Sequence, residues 1–345
     1  MLLRTAAGRS FWWVTALCLL TLALAACGSE QYPQTTLLPR GDFARIADDL
    51  LDTTVKWAVA VFVLVEGVLV YAIFRFRGKP GDPEPHQIHG NTTVEIIWTV
   101  IPALILAAIA VPTVRAIFQT SATPGKDALT IEVVGHQWWW EFRYPEYNVT
   151  TANELHVPVG RTVSLRMASA DVIHSFWVPQ FAAKRDVFAN RETRMWFKAE
   201  VEGDYPGQCG EYCGIQHGRM AHRIRAHQPG QFQAWVAHMQ TLGAQRKLAG
   251  QSAEYATGEK LWTSKGCLAC HSLNAVDAPK GMVGPNLANI GARTHLAAGT
   301  LKNTDENMVR WIRDPHAIKK GVLMPNLGVT EQEARALAAF LRAHR

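Results

Sequence analysis

The sequence predicts a multidomain chain: a two-helix transmembrane hairpin, then an all-β Greek-key domain, then an all-α domain at the C-terminal end. Three observations predict it. Two apolar runs, Val55 to Phe74 and Val94 to Val114, are each long enough to cross a hydrocarbon core of ~30 Å. Between about Leu129 and Ala226, segments rich in β-branched and aromatic residues alternate with Gly and Pro. Near the end, C-L-A-C-H at Cys267 to His271 sits among helical patterns.

Taken in order, Arg4 and Arg9 precede an apolar run from Phe11 to Ala26, which has the charge and length of a signal peptide. The run ends L-A-A-C at Leu24 to Cys27, the pattern of a lipobox in which Cys27 is lipidated after residues 1–26 are removed. A plain small-residue cleavage is the alternative. Residues 27–120 then hold the N-terminal segment and the two spans, 55–74 and 94–114. Arg75, Arg77 and Lys79 in the connection put that side in the cytoplasm and everything after about Arg115 outside. Pro102 and Pro112 interrupt the second span, which suits packing against partner subunits. Glu66 lies mid-span, where a carboxyl normally faces protein or water. The whole chain has a formal charge of +6, and 35 basic residues less the two of the leader, against 29 acidic, leave +4. So modest a balance gives no evidence for nucleic acid.

The β-rich domain is expected over residues 121–230, with strands at Thr130 to Tyr144, Thr162 to Met167, Val172 to Pro179 and Arg194 to Ala199. It contains C-G-E-Y-C-G-I-Q-H-G-R-M, Cys209 to Met220. Two thiolates, the imidazole of His217 and the thioether of Met220 share one loop, and a second imidazole is available at His174. Soft donors beside imidazole select copper or another thiophilic metal over magnesium or calcium. Two cysteines on one loop suit two coppers bridged by both sulfurs. A zinc knuckle or a disulfide is the plainer reading, but a structural zinc site has no need of the methionine.

Residues 231–251 read as a helix, Gln231 to Met239, and a Gly/Ala/Gln/Lys linker, and residues 252–345 as the last domain. C-x-x-C-H is the attachment pattern for a c-type haem, with Cys267 and Cys270 adding to the vinyls and His271 ligating the iron. Tyr255 to Lys265 reads as a helix. Thr330 with Glu333 makes a capping box for a final helix carrying Ala336, Leu337 and Phe340. Two cysteines for copper, two for haem, and Cys18 and Cys27 in the first thirty residues account for all six.

The order C-x-E-x-C-x-x-x-H-x-x-M resembles the dinuclear copper site of cytochrome c oxidase subunit II. The C-terminal stretch, with G-P-N-L at Gly284 to Leu287 and L-M-P-N-L at Leu323 to Leu327, resembles a class I cytochrome c domain. Together they resemble the fused subunit II of caa-type haem–copper oxidases. The resemblance implies a cupredoxin-type β-sandwich with its ligand loop between the final strands. It implies copper ligands His174, Cys209, the Glu211 carbonyl, Cys213, His217 and Met220, and a magnesium ion shared with subunit I through the Glu211 side chain. It carries over Met324 as the distal haem ligand, with Met282 the rival sulfur and His295 and His316 on the surface.

G-H-Q-W-W-W resembles the family's G-H-Q-W-Y-W and makes Trp138 the point where an electron arrives, with Trp139 replacing tyrosine; strand packing is the plainer account of the run. V-E-I-I-W-T makes Glu95 the mouth of a proton path, against a helix-terminal acid as the plainer account. His136, His156, His222 and His227 read as structural or surface residues. The implied function is a one-electron relay from haem c through copper to subunit I, where oxygen is reduced and protons pumped. The implied partners are subunits I and III and a donor cytochrome or quinol:cytochrome c reductase, at the outer face of a bacterial cytoplasmic membrane. The tether alone is expected to keep the haem domain near the copper domain. Some nitric oxide reductases use a similar two-copper subunit, which V-E-I-I-W-T disfavours. Two membrane spans argue against nitrous oxide reductase, copper ligands against a quinol oxidase subunit, and the haem motif against a free copper carrier.

Overall fold

A computed structural model of the chain describes residues 32–78, 80–242 and 252–345. Residues 1–31, with Cys18 and Cys27, and the linker residues 243–251 lie outside the described residues.

Helix α1, Asp42–Arg75, and helix α2, Thr92–Ser121, contain the two predicted spans and run beyond them at both ends. They pack against each other, and each holds an apolar stretch long enough to cross a membrane. No residue of α2 is buried. A helix apolar on all sides is stable only in lipid or against other proteins. Asn91 caps α2 by accepting from the Val94 amide at 3.2 Å, and Glu95 Oε1 accepts from the Asn91 amide at 3.2 Å. Glu66 is half-buried. The first turn of α1 is no membrane segment: Phe43 and Ala44 are buried, the Ala44 amide donates to Phe181 O, and Asp42 Oδ1 accepts from the Lys198 amide at 2.7 Å.

The next domain is a sandwich of two five-stranded sheets. β1 (Leu129–His136), β2 (Trp139–Tyr144), β3 (Val149–Ala152), β5 (Thr162–Ser169) and β8 (Thr193–Lys198) form one, in the order β3-β2-β1-β5-β8. β4 (Glu154–Pro158), β6 (His174–Trp177), β7 (Arg185–Val187), β9 (Gly203–Cys209) and β10 (Ala221–His227) form the other, in the order β4-β10-β9-β6-β7. Alternate residues such as Ile131, Val133, Leu165 and Ile224 fill the space between the sheets. The stretch Thr130 to Tyr144 is two strands, not one. β1 and β2 pair antiparallel, with Val133 opposite Phe142, around a turn at Gln137 and Trp138. β-branched and aromatic residues dominate it and no Gly or Pro stands at Gln137 or Trp138 themselves, so the sequence hid the turn.

Glu141, on β2, is buried between His136 Nε2 at 3.1 Å and Arg143 Nε at 2.7 Å. Burial alone would raise its carboxyl, but those two hydrogen bonds outweigh it and hold it below the usual range. Such a group adds stability above its unfolded pKa, and that stability fades as pH falls through the folded value. Glu141→Gln is expected to cost roughly 2–4 kcal/mol by leaving Arg143 without its charge partner. Thermal melting followed by circular dichroism reads it, and the gap from wild type should close in acid.

Helix α3, Pro229–Thr241, lays Phe232, Val236 and Met239 on the sandwich. The last domain is built from α4 (Ala253–Ser264), α5 (Asp305–Arg313), α6 (Pro315–Ile318) and α7 (Glu331–Arg342). α4 and α7 pack together, and the Thr330/Glu333 capping box is formed.

The two soluble domains are docked, not merely tethered. Thr150 N donates to Ala275 O at 2.9 Å and Ala221 N to Ala298 O at 3.0 Å. Buried Glu154 accepts from Thr294 N at 2.7 Å and Thr294 Oγ1 at 2.8 Å. The expectation that a flexible linker alone keeps the domains together is therefore corrected. An interface made of backbone pairing leaves no compositional mark in the sequence.

Candidate metal centre

Cys209 ends β9, and the loop to Met220 leads straight into β10, so the sandwich grips both ends of the ligand loop. His174 opens β6, which pairs with β9 through Phe176 opposite Cys209. Gly135 on β1 makes room for the imidazole: a Cβ there would sit 2.8 Å from His174 Cδ2. His174 Nδ1 lies 3.9 Å from Cys209 Sγ, and the two sulfurs of Cys209 and Cys213 are 3.7 Å apart. Cys213 Sγ is 3.7 Å from both His217 Nδ1 and Met220 Sδ, and Glu211 O is 3.2 Å from Cys209 Sγ. The ligating atoms of His174, Cys209 and Cys213 fall within 4.8 Å of one another.

The pair behaves as one dithiol. The hydrogen bond between them pulls the Cys209 thiol well below the usual thiol range, and the same bond, with burial, pushes Cys213 up. Two thiolates so close cannot both stand bare in a buried site, and a soft cation would neutralise both. The donor set thus fits copper. The Glu211 side chain is exposed, apart from the sulfur pair it flanks in sequence.

Sequence reasoning passed over Asp171. Its Oδ1 lies 2.7 Å from His174 Nε2, which turns Nδ1 toward the sulfurs. Burial lowers His174, yet the bonds to Asp171 and Cys209 leave it raised. The available signal was an aspartate three residues ahead of the histidine in D-V-I-H. Gln137 was missed too: its Nε2 donates to Cys213 O at 2.8 Å. Trp138 is buried, and its Nε1 donates to the same carbonyl at 2.9 Å.

In the last domain a cavity is lined by Cys267, Cys270, His271 and Met324. Met282 is not among its lining residues. The two cysteines are free and half-buried. His271 Nδ1 donates to Pro285 O at 2.8 Å, which leaves Nε2 as the basic nitrogen. Burial keeps the ring neutral by lowering it. Gly284 is needed beside it, since a Cβ there would lie 2.5 Å from His271 Cε1. A neutral, oriented imidazole, two free thiols and a thioether on one cavity fit a covalently attached haem. Trp138 and Trp139 of the sandwich line that same cavity.

Of the other residues singled out in the sequence, His295 lines the haem-side cavity, and the rest lie apart from both sites. Glu95 is exposed and engaged at its helix terminus. His136 pairs with Glu141 and stacks on Trp139. His156 stacks between His227 and Trp235, and His222 is buried against Phe176. His316 is exposed, but His295, expected on the surface, is half-buried on the cavity wall and meets Thr294 Oγ1, because the chain beside it docks on the sandwich.

Three family descriptions match the chain. "Cytochrome C oxidase subunit II, transmembrane domain" matches residues 43–116, its "periplasmic domain" residues 148–227, and "Cytochrome c" residues 255–345. A protein of Alkalihalophilus pseudofirmus, "Cytochrome c oxidase subunit 2", is 35% identical over 96% of this chain and 98% of its own length. Its namesake in Bacillus subtilis is 32% identical over 95% and 96%. Among solved structures, the periplasmic domain of subunit II of cytochrome oxidase of Bradyrhizobium japonicum is 34% identical, with a TM-score of 0.32, over 33% of this chain and 95% of that one.

Proposed function

This chain belongs to the cytochrome c oxidase subunit II family, and from that premise we propose that it accepts electrons on haem c, passes them to a dinuclear copper centre and delivers them to subunit I, where oxygen is reduced to water and protons are pumped. The observation that carries the reading is the convergence of two thiols, two imidazoles and a thioether beside a cavity built for a haem, with one tryptophan shared between them.

Cys209 and Cys213 would together hold the copper pair. His174, His217, Met220 and the Glu211 carbonyl would complete the set, and the exposed Glu211 carboxylate would be available to a magnesium shared with subunit I. Cys267 and Cys270 would hold the haem covalently, with His271 and Met324 as ligands to its iron. When bound, these groups supply one-electron exchange. The protein's part is to keep the ligands still: β9 and β10 clamp the loop, Asp171 fixes His174, and Pro285 fixes His271. Trp138 is the landing point, because its indole touches the Cys213 carbonyl. Both helices cross the bacterial cytoplasmic membrane, with the soluble domains on the periplasmic side, Cys27 lipidated there and Glu95 at the inner mouth of a proton path. Subunits I and III cover the helices, and a cytochrome or a quinol:cytochrome c reductase supplies electrons.

Rapid mixing of the intact complex with reduced donor tests the order. The ferrous haem band should rise before the oxidised copper band bleaches, and the reverse order would sink the relay. Deleting everything after Gln251 should leave copper and assembly in place. It should slow oxygen uptake with the natural donor about tenfold or more by removing the tethered donor, and added soluble cytochrome c should rescue it only in part.

A further inference from the structure

Lys319 is 2% exposed. Its ammonium donates to the Trp138 carbonyl at 2.9 Å and, at 3.4 Å, to the Ala297 carbonyl of its own domain. Among the described residues, no ion pair includes it. A buried ammonium without a carboxylate is costly, and an apolar side chain of similar length would fill the space at lower cost. Core stability therefore does not explain it.

Its neighbours show what it is part of. The Ile318 carbonyl accepts from Arg219, and the Lys320 carbonyl accepts from Gln216 Nε2 at 2.6 Å. Arg219 and Gln216 lie on the copper ligand loop, between Cys213 and Met220. Residues 318–320 lead into Met324 on the haem cavity. So three consecutive residues of the haem-side loop are stitched to the copper domain, two of them to the copper loop. Lys319, the middle one, takes hold of Trp138. That tryptophan is thereby held at both ends: its backbone carbonyl by the haem domain, its indole by the Cys213 carbonyl.

We propose that Lys319 is a positioning residue that pins the haem domain onto the copper domain at Trp138, and so fixes the separation across which the electron passes. The inference rests on the relay reading for its consequence but not for the pin itself. Lys319→Met removes the donor from two buried carbonyls while keeping the apolar stem. Losing one buried hydrogen bond of this kind loosens such a seam roughly tenfold.

The test uses the full-length chain in the purified oxidase. Hydrogen exchange is followed at the Thr150 and Ala221 amides, which donate across the seam. Electron exchange between haem and copper is followed after flash excitation. Lys319→Met should raise amide exchange and slow electron exchange about tenfold each, with the optical and paramagnetic signatures of both sites unchanged. Lys319→Gln, which keeps an N–H donor, should recover part of both, and serves if the methionine variant fails to assemble. Lys320→Met, at an exposed position, should change neither. Wild-type amide protection in Lys319→Met, or equal loss in Lys320→Met, overturns the pin. Absence of copper or haem from the wild-type complex overturns the relay instead, and the amide readout then still decides the pin.

Discussion

Cys213→Ser is expected to strip the copper pair from the purified oxidase and to cut oxygen uptake by more than about a hundredfold, beyond the 10–100-fold that loss of an outer-shell partner typically costs. Cys213 lies at the centre of the cluster: its sulfur is 3.7 Å from Cys209 Sγ, His217 Nδ1 and Met220 Sδ. Serine is a hard donor that stays protonated near neutral pH, so it can neither bridge two soft ions nor balance their charge. Metal analysis of wild type should give two coppers per chain, and electron paramagnetic resonance should show more than four hyperfine lines, the mark of one unpaired electron shared by two nuclei. The variant should lose both while its haem spectrum stays. A wild-type complex with a single copper and a four-line pattern would refute the dinuclear assignment.

Met324→Ala is expected to lower the haem potential by on the order of 0.2 V, within the ~0.8 V that axial ligation spans. The thioether favours ferrous iron, so its loss favours ferric. The haem should remain attached, since Cys267 and Cys270 are untouched, and the weak near-infrared band of sulfur on ferric iron should vanish. Met282→Ala is the comparison. Met282 does not line the cavity, and its loss should leave potential and band in place. The opposite pattern would mean the wrong sulfur was assigned.

Chemistry held within one loop was legible in the sequence, and chemistry held across space was not. Cys209 to Met220 spells its donor set in order because a single turn of chain carries it. The haem attachment pattern is local for the same reason, and so is the Thr330/Glu333 cap. His174 is 35 residues from Cys209 and could be joined to it only through resemblance to a known site. Asp171 reads as one more polar loop residue until its contact with His174 is seen. Lys319 reads as half of a solvated Lys-Lys pair, and nothing in A-I-K-K-G says that one ammonium points inward and the other out. The short strands Val149–Ala152 and Glu154–Pro158 escaped because each is only four or five residues long and holds Ala, Glu or Pro, which disfavour strand, so sheet pairing decided them.

The seating of Phe43 and Ala44 on the sandwich makes α1 a mast. The helix has 34 residues, about 51 Å at 1.5 Å per residue, against a hydrocarbon thickness of ~30 Å. Its charged stretch, Asp42 to Lys56, accounts for about 20 Å of that length. An unbroken rod fastened to the sandwich at one end and sunk in lipid at the other fixes the elevation of the copper loop above the bilayer. It also turns any tilt of the buried part into a sideways swing of the head. A thinner membrane should therefore displace the metal loop along the surface of its neighbour and not merely lower it, so lipid chain length becomes a variable in the alignment of the two subunits.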